Sequence, residues 1–138
     1  MTDNQNVEPS NQSHVGRLKI LFIEDDVMLI KAYQTKLAME GFEVDTAFDG
    51  VEAIQKLGFN DYDLILLDLM MPKIDGFNVL EILRASAWPA AKKPVIVFSA
   101  LGDKKDIDKA NELGADDFLV KAELTPNQLV KKIRANLK

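Results

Sequence analysis

The sequence has no cysteine and only one histidine and one tryptophan among its 138 residues. Without thiols there are no disulfides, no thiolate nucleophile and no cysteine-based metal site. Their absence also suits a reducing compartment, and the expected location is the cytoplasm. The lone imidazole, His14, lies in a stretch of Asn, Gln and Ser, where it makes neither a metal centre nor a catalytic triad. Long apolar runs are missing too: none approaches the length that spans a bilayer. The first residues lack the basic start and apolar stretch of a signal peptide, so no membrane association is expected. Positive charge is in deficit. With 17 Lys and Arg against 22 Asp and Glu the net charge is −5, which argues against a nucleic-acid partner, whose binding rests on cations neutralising phosphates.

What the chain does have is a hydrophobic content of 47%, enough for one domain around one sizeable core. Residues 1–16 contain hardly any large apolar group and are expected to form a disordered polar tail; residues 17–138 form the domain. Within it two kinds of segment alternate. Leu18 to Ile23 is a nearly continuous apolar run, as expected of a strand covered on both faces. Leu29, Ile30, Tyr33 and Leu37 then recur at helical spacing, with Gly41 at a plausible helix end. Phe42, Val44 and Thr46 alternate with polar residues as a second strand. Asp49 to Glu52 has the spacing of a capping box opening a helix that carries Ala53, Ile54 and Leu57.

The third strand, Leu64 to Leu67, is the most apolar and runs into Asp68. Asp75 is placed to cap a helix holding Phe77, Leu80, Ile82 and Leu83. Pro89 and Pro94 interrupt the chain before a fourth strand, Val95 to Phe98. A helix from about Lys104 to Leu113 presents Ile107, Ala110 and Leu113, and Gly114 ends it. Phe118 to Val120 is the fifth strand. Thr125, Pro126 and Gln128 then combine an N-cap, a proline at the first turn and a box partner for a final helix. Five strands alternating with five helices predict an α/β fold, a doubly wound parallel sheet with helices on both faces.

In such sheets ligands bind beyond the carboxyl ends of the strands. Those ends carry Glu24-Asp25-Asp26, Asp68, Ser99 and Lys121. Singly, each has an ordinary explanation: helix N-terminal charge, as for Asp26 one step into its helix, a turn former, a cap, a solvated cation. Jointly they make a carboxylate cluster that invites a hard divalent cation. Mg²⁺ suits such a site, because it works through one or two carboxylates plus a phosphate.

These segments resemble the receiver domains of bacterial two-component response regulators. Ile20 to Asp26 is similar to that family's first strand and acidic pair. Asp63 to Pro72, with Asp75-Gly76, is similar to its phosphorylation strand and loop. Pro94 to Ala100 resembles its hydroxyl-bearing strand, and Gly114 to Lys121 its last strand and lysine. The resemblance runs from Leu18 to the C-terminus. It implies the flavodoxin/CheY-like strand order 2-1-3-4-5.

It further implies that Asp68 accepts a phosphoryl group from a sensor histidine kinase or a phosphotransfer protein. Glu24, Asp25, Asp68 and the backbone carbonyl of Met70 would hold Mg²⁺. Lys121 and the Ser99 hydroxyl would contact the phosphoryl oxygens, and small Ala100 would leave them room. Movement of Ser99 would let Phe118 turn inward and switch the face formed by the fourth helix, fifth strand and fifth helix toward an output protein. The expected module stands alone, as a monomer or weak dimer, and is a switch rather than an enzyme.

Two departures from the family pattern stand out. Glu24 replaces an Asp. Ala122 replaces the proline that usually follows the lysine, so the Lys121–Ala122 bond is expected to be trans, which leaves the aim of Lys121 open. Met70 and Leu101 are apolar where water would approach, which predicts a slowly lost phosphoryl group. A phosphorylation-independent scaffold is the competing function. An aspartate-nucleophile phosphohydrolase is a weaker one, because its nucleophile would follow the first strand rather than the third.

Overall fold

The computed structural model describes residues 17–137. The expected tail of residues 1–16, with His14, lies outside the described residues. The chain alternates β1 (Lys19–Ile23), α1 (Val27–Met39), β2 (Glu43–Ala47), α2 (Gly50–Phe59), β3 (Leu64–Leu67), α3 (Gly76–Ala85), β4 (Val95–Ser99), α4 (Lys104–Glu112), β5 (Asp117–Val120) and α5 (Pro126–Asn136), with a single 3₁₀ turn at Lys121–Glu123. All strand pairs are parallel and the order is β2-β1-β3-β4-β5. The expected doubly wound sheet is therefore present.

β1 lies inside the sheet, with Ile20 beside Val44 of β2 on one side and Leu64 of β3 on the other. That position explains its unbroken apolar sequence: Ile20, Leu21, Phe22 and Ile23 are all fully buried. Alternate residues face opposite layers. Ile20 and Phe22 meet α1 and α5 through Ile30, Tyr33, Leu37, Leu129 and Ile133. Leu21 and Ile23 meet α2 and α3 through Ala53, Leu57, Leu80 and Leu83. A smaller cluster of Val97, Leu69 and Ala110 seats α4.

Local signals hold with informative exceptions. Asp26 is the N-cap of α1 rather than a residue inside it, accepting from the N–H groups of Met28 and Leu29 at 3.0 and 3.2 Å. Asp49 caps α2 through Glu52 N–H at 2.8 Å. The returning arm of that box goes one residue further back, with Phe48 N–H donating to Glu52 Oε1 at 2.6 Å. The Thr125/Gln128 box is complete. In α3 the buried stripe is Gly76, Val79, Leu80 and Leu83, whereas Ile82 is exposed. Two residues along a helix is a turn of about 200°, which sends Ile82 away from the face Leu80 occupies. α4 is the least embedded helix: Ala110 is its one buried residue, and Ile107 and Leu113 are half-buried.

Candidate functional site

β1 connects onward to β2 on one side and its other neighbour, β3, connects onward to β4 on the far side, so the chain leaves the carboxyl ends of β1 and β3 in opposite directions and opens a crevice between them. Glu24 and Asp68 sit at its base. Their backbones prolong the ladder by one step, Glu24 N–H donating to the Ala47 carbonyl at 2.9 Å and Asp68 N–H to the Ile23 carbonyl at 3.0 Å. This rigid anchoring buries both carboxyl groups, leaving Glu24 1% and Asp68 4% exposed. Asp25 is exposed. One carboxylate oxygen from each of Glu24, Asp25 and Asp68 lies within 4.8 Å of the others.

Among the described residues a single ammonium faces the two buried acids. Lys121 Nζ donates to Glu24 Oε1 at 2.6 Å and stands 3.7 Å from Asp68 Oδ1. It also lies 5.8 Å from the centre of the buried Phe98 ring. No peptide bond among the described residues is cis, so Lys121–Ala122 is trans as expected. The trans bond leads into the 3₁₀ turn, and the side chain still enters the site, although its short contact is with Glu24. Glu24 Oε2 accepts from Asp26 N–H at 3.1 Å. Asp68 Oδ1 accepts a long bond, 3.4 Å, from Met70 N–H.

Ser99 ends β4 as its last strand residue and is fully buried. Its Oγ accepts from Leu101 N–H at 3.1 Å and keeps its own proton to donate. Ala100 beside it is exposed. Phe118 is half-buried against the cluster of Leu69, Val97 and Ala110. The Met70 and Leu101 side chains are exposed. The fold thus brings Glu24, Asp25, Asp68 and Lys121 together, with Ser99 and Met70 on the strand ends and loops around them and Phe118 one layer away.

Burial raises the pKa of both inner acids. The Glu24 carboxyl is pushed up to about 7, chiefly by desolvation and then by repulsion from Asp68, against the opposing bond from Lys121. Asp68 is raised for the same first reason, with Lys121 again opposing and Asp25 adding a smaller upward push. Three carboxyl groups gather around one ammonium, and two of them are almost fully buried. An all-oxygen donor set of this kind fits a hard divalent cation such as Mg²⁺.

Two further residues support the site from behind. Gly76 packs so closely on the backbone after β3 that a Cβ there would lie 2.7 Å from Leu69 Cα and nearer still to the Asp68 carbonyl oxygen. Arg84, in the last turn of α3, donates to the carbonyls of Gly114, Ala91 and Lys93 at 2.7–3.0 Å and to Asp116 Oδ2 at 2.9 Å. An aspartate-glycine pair after a loop hints at the first. Nothing local hints at the second.

A doubly wound α/β fold with an acidic cluster where the strand order reverses defines the class of domains that bind a ligand in that crevice. More particularly, the chain belongs to the response regulator receiver domain family, whose model matches residues 20–134. Members of that family are signalling switches of two-component systems, not classical enzymes, and bind Mg²⁺ at an acidic site.

Relatives include the probable transcriptional regulator ycf27 of Cyanophora paradoxa. It is 39% identical over 124 residues, which are 90% of this chain and 50% of that protein. The CpxR homolog of Haemophilus influenzae, a transcriptional regulatory protein, is 40% identical over 120 residues, or 87% of this chain and 50% of that protein. The chain therefore spans about half the length of these curated relatives. Among solved structures, the BeF3-activated N-terminal receiver domain of Klebsiella pneumoniae RstA superposes with a TM-score of 0.80 at 28% identity, covering 87% of this chain and 98% of that one. Among the described residues no helix is long and apolar enough to cross a membrane.

Proposed function

We propose that Asp68 accepts a phosphoryl group from the phosphohistidine of a sensor kinase or phosphotransfer protein in the cytosol. The observation that carries this reading is the convergence of Glu24, Asp25, Asp68 and Lys121 from three strand ends, with two of the acids almost fully buried. An Asp68 carboxylate oxygen bonds to phosphorus as the phosphorus–nitrogen bond breaks. The electron pair returns to the histidine ring, and an aspartyl phosphate remains. Burial makes the Asp68 oxygen a stronger base, and Lys121 supplies fixed positive charge beside it. Glu24, Asp25, Asp68 and the Met70 carbonyl are the residues to hold Mg²⁺, which when bound neutralises the phosphoryl oxygens.

The output follows from differential contacts in the two states. Ser99 Oγ now accepts from Leu101 N–H; drawn to a phosphoryl oxygen, it pulls on the loop before α4. Phe118, half-buried on β5 beside α4, is placed to respond, and α4, β5 and α5 form the surface offered to a protein partner. Action on a separate partner rather than a fused effector is part of the proposal. Its test is the size of the protein in its native cells. A band near 15.4 kDa is expected, and a band about twice that size would assign output to an attached domain.

The chemical test uses beryllium fluoride with Mg²⁺ as a phosphoryl mimic. Trp88 is a poor reporter, because it packs on Gly58 near the end of α2, at the sheet edge opposite the site. Amide NMR is the better readout. Shifts are expected around Asp68, Ser99 and α4, and none in Asp68→Ala. Equal spectra from both proteins would leave a phosphorylation-independent binding module.

A further inference from the structure

The loop that joins β3 to α3 carries the Met70 carbonyl, the one proposed Mg²⁺ ligand that belongs to the backbone. Among the described residues no backbone–backbone hydrogen bond is made by residues 70–74. Met70, Pro72 and Lys73 are exposed, and only Met71 and Ile74 rest half-buried on the core cluster that includes Ala53 and Leu57. Such a loop has little of its own to fix the direction of a carbonyl. Lys73 nevertheless holds a backbone φ of +70°, the one positive φ outside glycine among the described residues. An L side chain is disfavoured there, and glycine would make the same turn with less strain. What favours lysine must therefore lie in its side chain.

That side chain reaches the start of α2. Lys73 Nζ donates to Asp49 Oδ2 at 3.2 Å, while Oδ1 of the same carboxylate accepts from Glu52 N–H at 2.8 Å and caps the helix. The Glu52 N–H first and the Lys73 ammonium next hold the Asp49 carboxyl below its ordinary range, so it keeps its charge. Beside the pair, Gly50 packs so tightly against the loop that a Cβ would overlap the Ile74 carbonyl oxygen and lie 2.6 Å from Ile74 Cβ. We propose that Lys73 is a positioning residue for the metal site: its pairing with Asp49 pins the β3–α3 loop to the first turn of α2 and so fixes the Met70 carbonyl. The inference rests on Met70 being a Mg²⁺ ligand. The Lys73 side chain is 63% exposed, so water screens the pair, and its loss is expected to change Mg²⁺ affinity about two- to fivefold.

The sign of that change separates positioning from charge alone. Removing a cation from the neighbourhood of an acidic cluster strengthens Mg²⁺ binding by Coulomb attraction, whereas unpinning the loop weakens it. The test measures Mg²⁺ dissociation constants of the full chain by amide NMR titration, with Tm followed by circular dichroism. Lys73→Met is expected to bind Mg²⁺ about two- to fivefold more weakly than wild type; tighter or unchanged binding overturns the inference. Lys73→Arg keeps the ion pair and is expected to bind as wild type does, and an Arg variant as weak as Lys73→Met overturns it as well. Lys73→Gly relieves the positive φ while losing the pair. Its Tm should hold while its Mg²⁺ binding weakens, which a role in stability alone would not produce, and wild-type affinity in this variant counts against the inference. If the wild-type chain shows no Mg²⁺-dependent shifts, the metal reading falls and the inference with it. If wild type binds and the Lys73 variants match it, the inference falls alone.

Discussion

Gly76 offers a sharp test of how the fold positions Asp68. It is the first residue of α3, directly after the cap Asp75, and its N–H donates to the Leu69 carbonyl at 2.9 Å. A methyl group at this position would lie 2.7 Å from Leu69 Cα and 3.0 Å from the Asp68 carbonyl carbon, and closer to the carbonyl oxygen. The three nearest atoms are all backbone, so no side chain can swing aside to relieve them. β3 cannot yield easily either, being hydrogen-bonded between β1 and β4. Gly76→Ala must therefore shift the start of α3 or the segment carrying Asp68. Overpacking of this kind costs about 3 kcal/mol, which for a domain this size lowers Tm by about 10 °C.

Gly58→Ala is the control. It makes the same substitution inside α2, where the added methyl would rest at an ordinary 3.5 Å from the Trp88 ring. Helix propensity then favours alanine by about 0.8 kcal/mol, so Tm should rise by a few degrees. Thermal melts by circular dichroism measure both, and a beryllium fluoride titration by NMR follows the site. Gly76→Ala should melt lower and respond more weakly. If it melts within about 2 °C of wild type with an undiminished response, the close approach of α3 to Asp68 is not what holds the site.

Three further outcomes are expected. Arg84→Ala should cost about 3 kcal/mol, because the carbonyls of Gly114, Ala91 and Lys93 lose their donor; Tm should fall while beryllium fluoride binding persists, and loss of binding would contradict a purely scaffolding role. Since the Glu24 carboxyl holds its proton up to about 7 where the unfolded chain releases it near 4.5, metal-free stability should fall as pH rises between those values. With Glu24 among the proposed Mg²⁺ ligands the ion must displace that proton, so the increase in Tm on adding Mg²⁺ should be larger at pH ~7.5 than at pH ~5.5; calorimetry at the two values checks it, and an equal increment would refute it. Finally, the phosphoryl group should decay faster in a Met70→Asn, Leu101→Glu double variant, by on the order of tenfold or more once a polar group orients water, and equal decay rates after donor removal would refute that reasoning.

Much of the architecture was legible in the sequence because it is written in local terms. The apolar runs at 20–23 and 64–67, the helical recurrence of Ile30, Tyr33 and Leu37, and the caps at Asp49, Asp75 and Thr125 each depend on residues a few positions apart. Alternating strands and helices then admit few windings, so strand order followed, and with it the edge where Glu24, Asp25, Asp68, Ser99 and Lys121 gather. The pattern was weaker where hydrophobic type and burial part company. Ile82 is as apolar as Leu80 yet faces out, and Val79 faces in.

Which groups touch was decided by tertiary packing alone. Lys121 bonds to Glu24 across 97 residues rather than reaching Asp68 at the same distance, a choice set by where a trans peptide and a 3₁₀ turn put its stem. Arg84 ties together three segments that share no local pattern, and Gly76 is required by a backbone that arrives from eight residues earlier in the chain. The same holds for protonation: the sequence contains the carboxyl groups, but the surrounding layers strip water from them and raise their pKa. Periodicity is a property of neighbours along the chain, whereas distance, desolvation and charge are properties of neighbours in space.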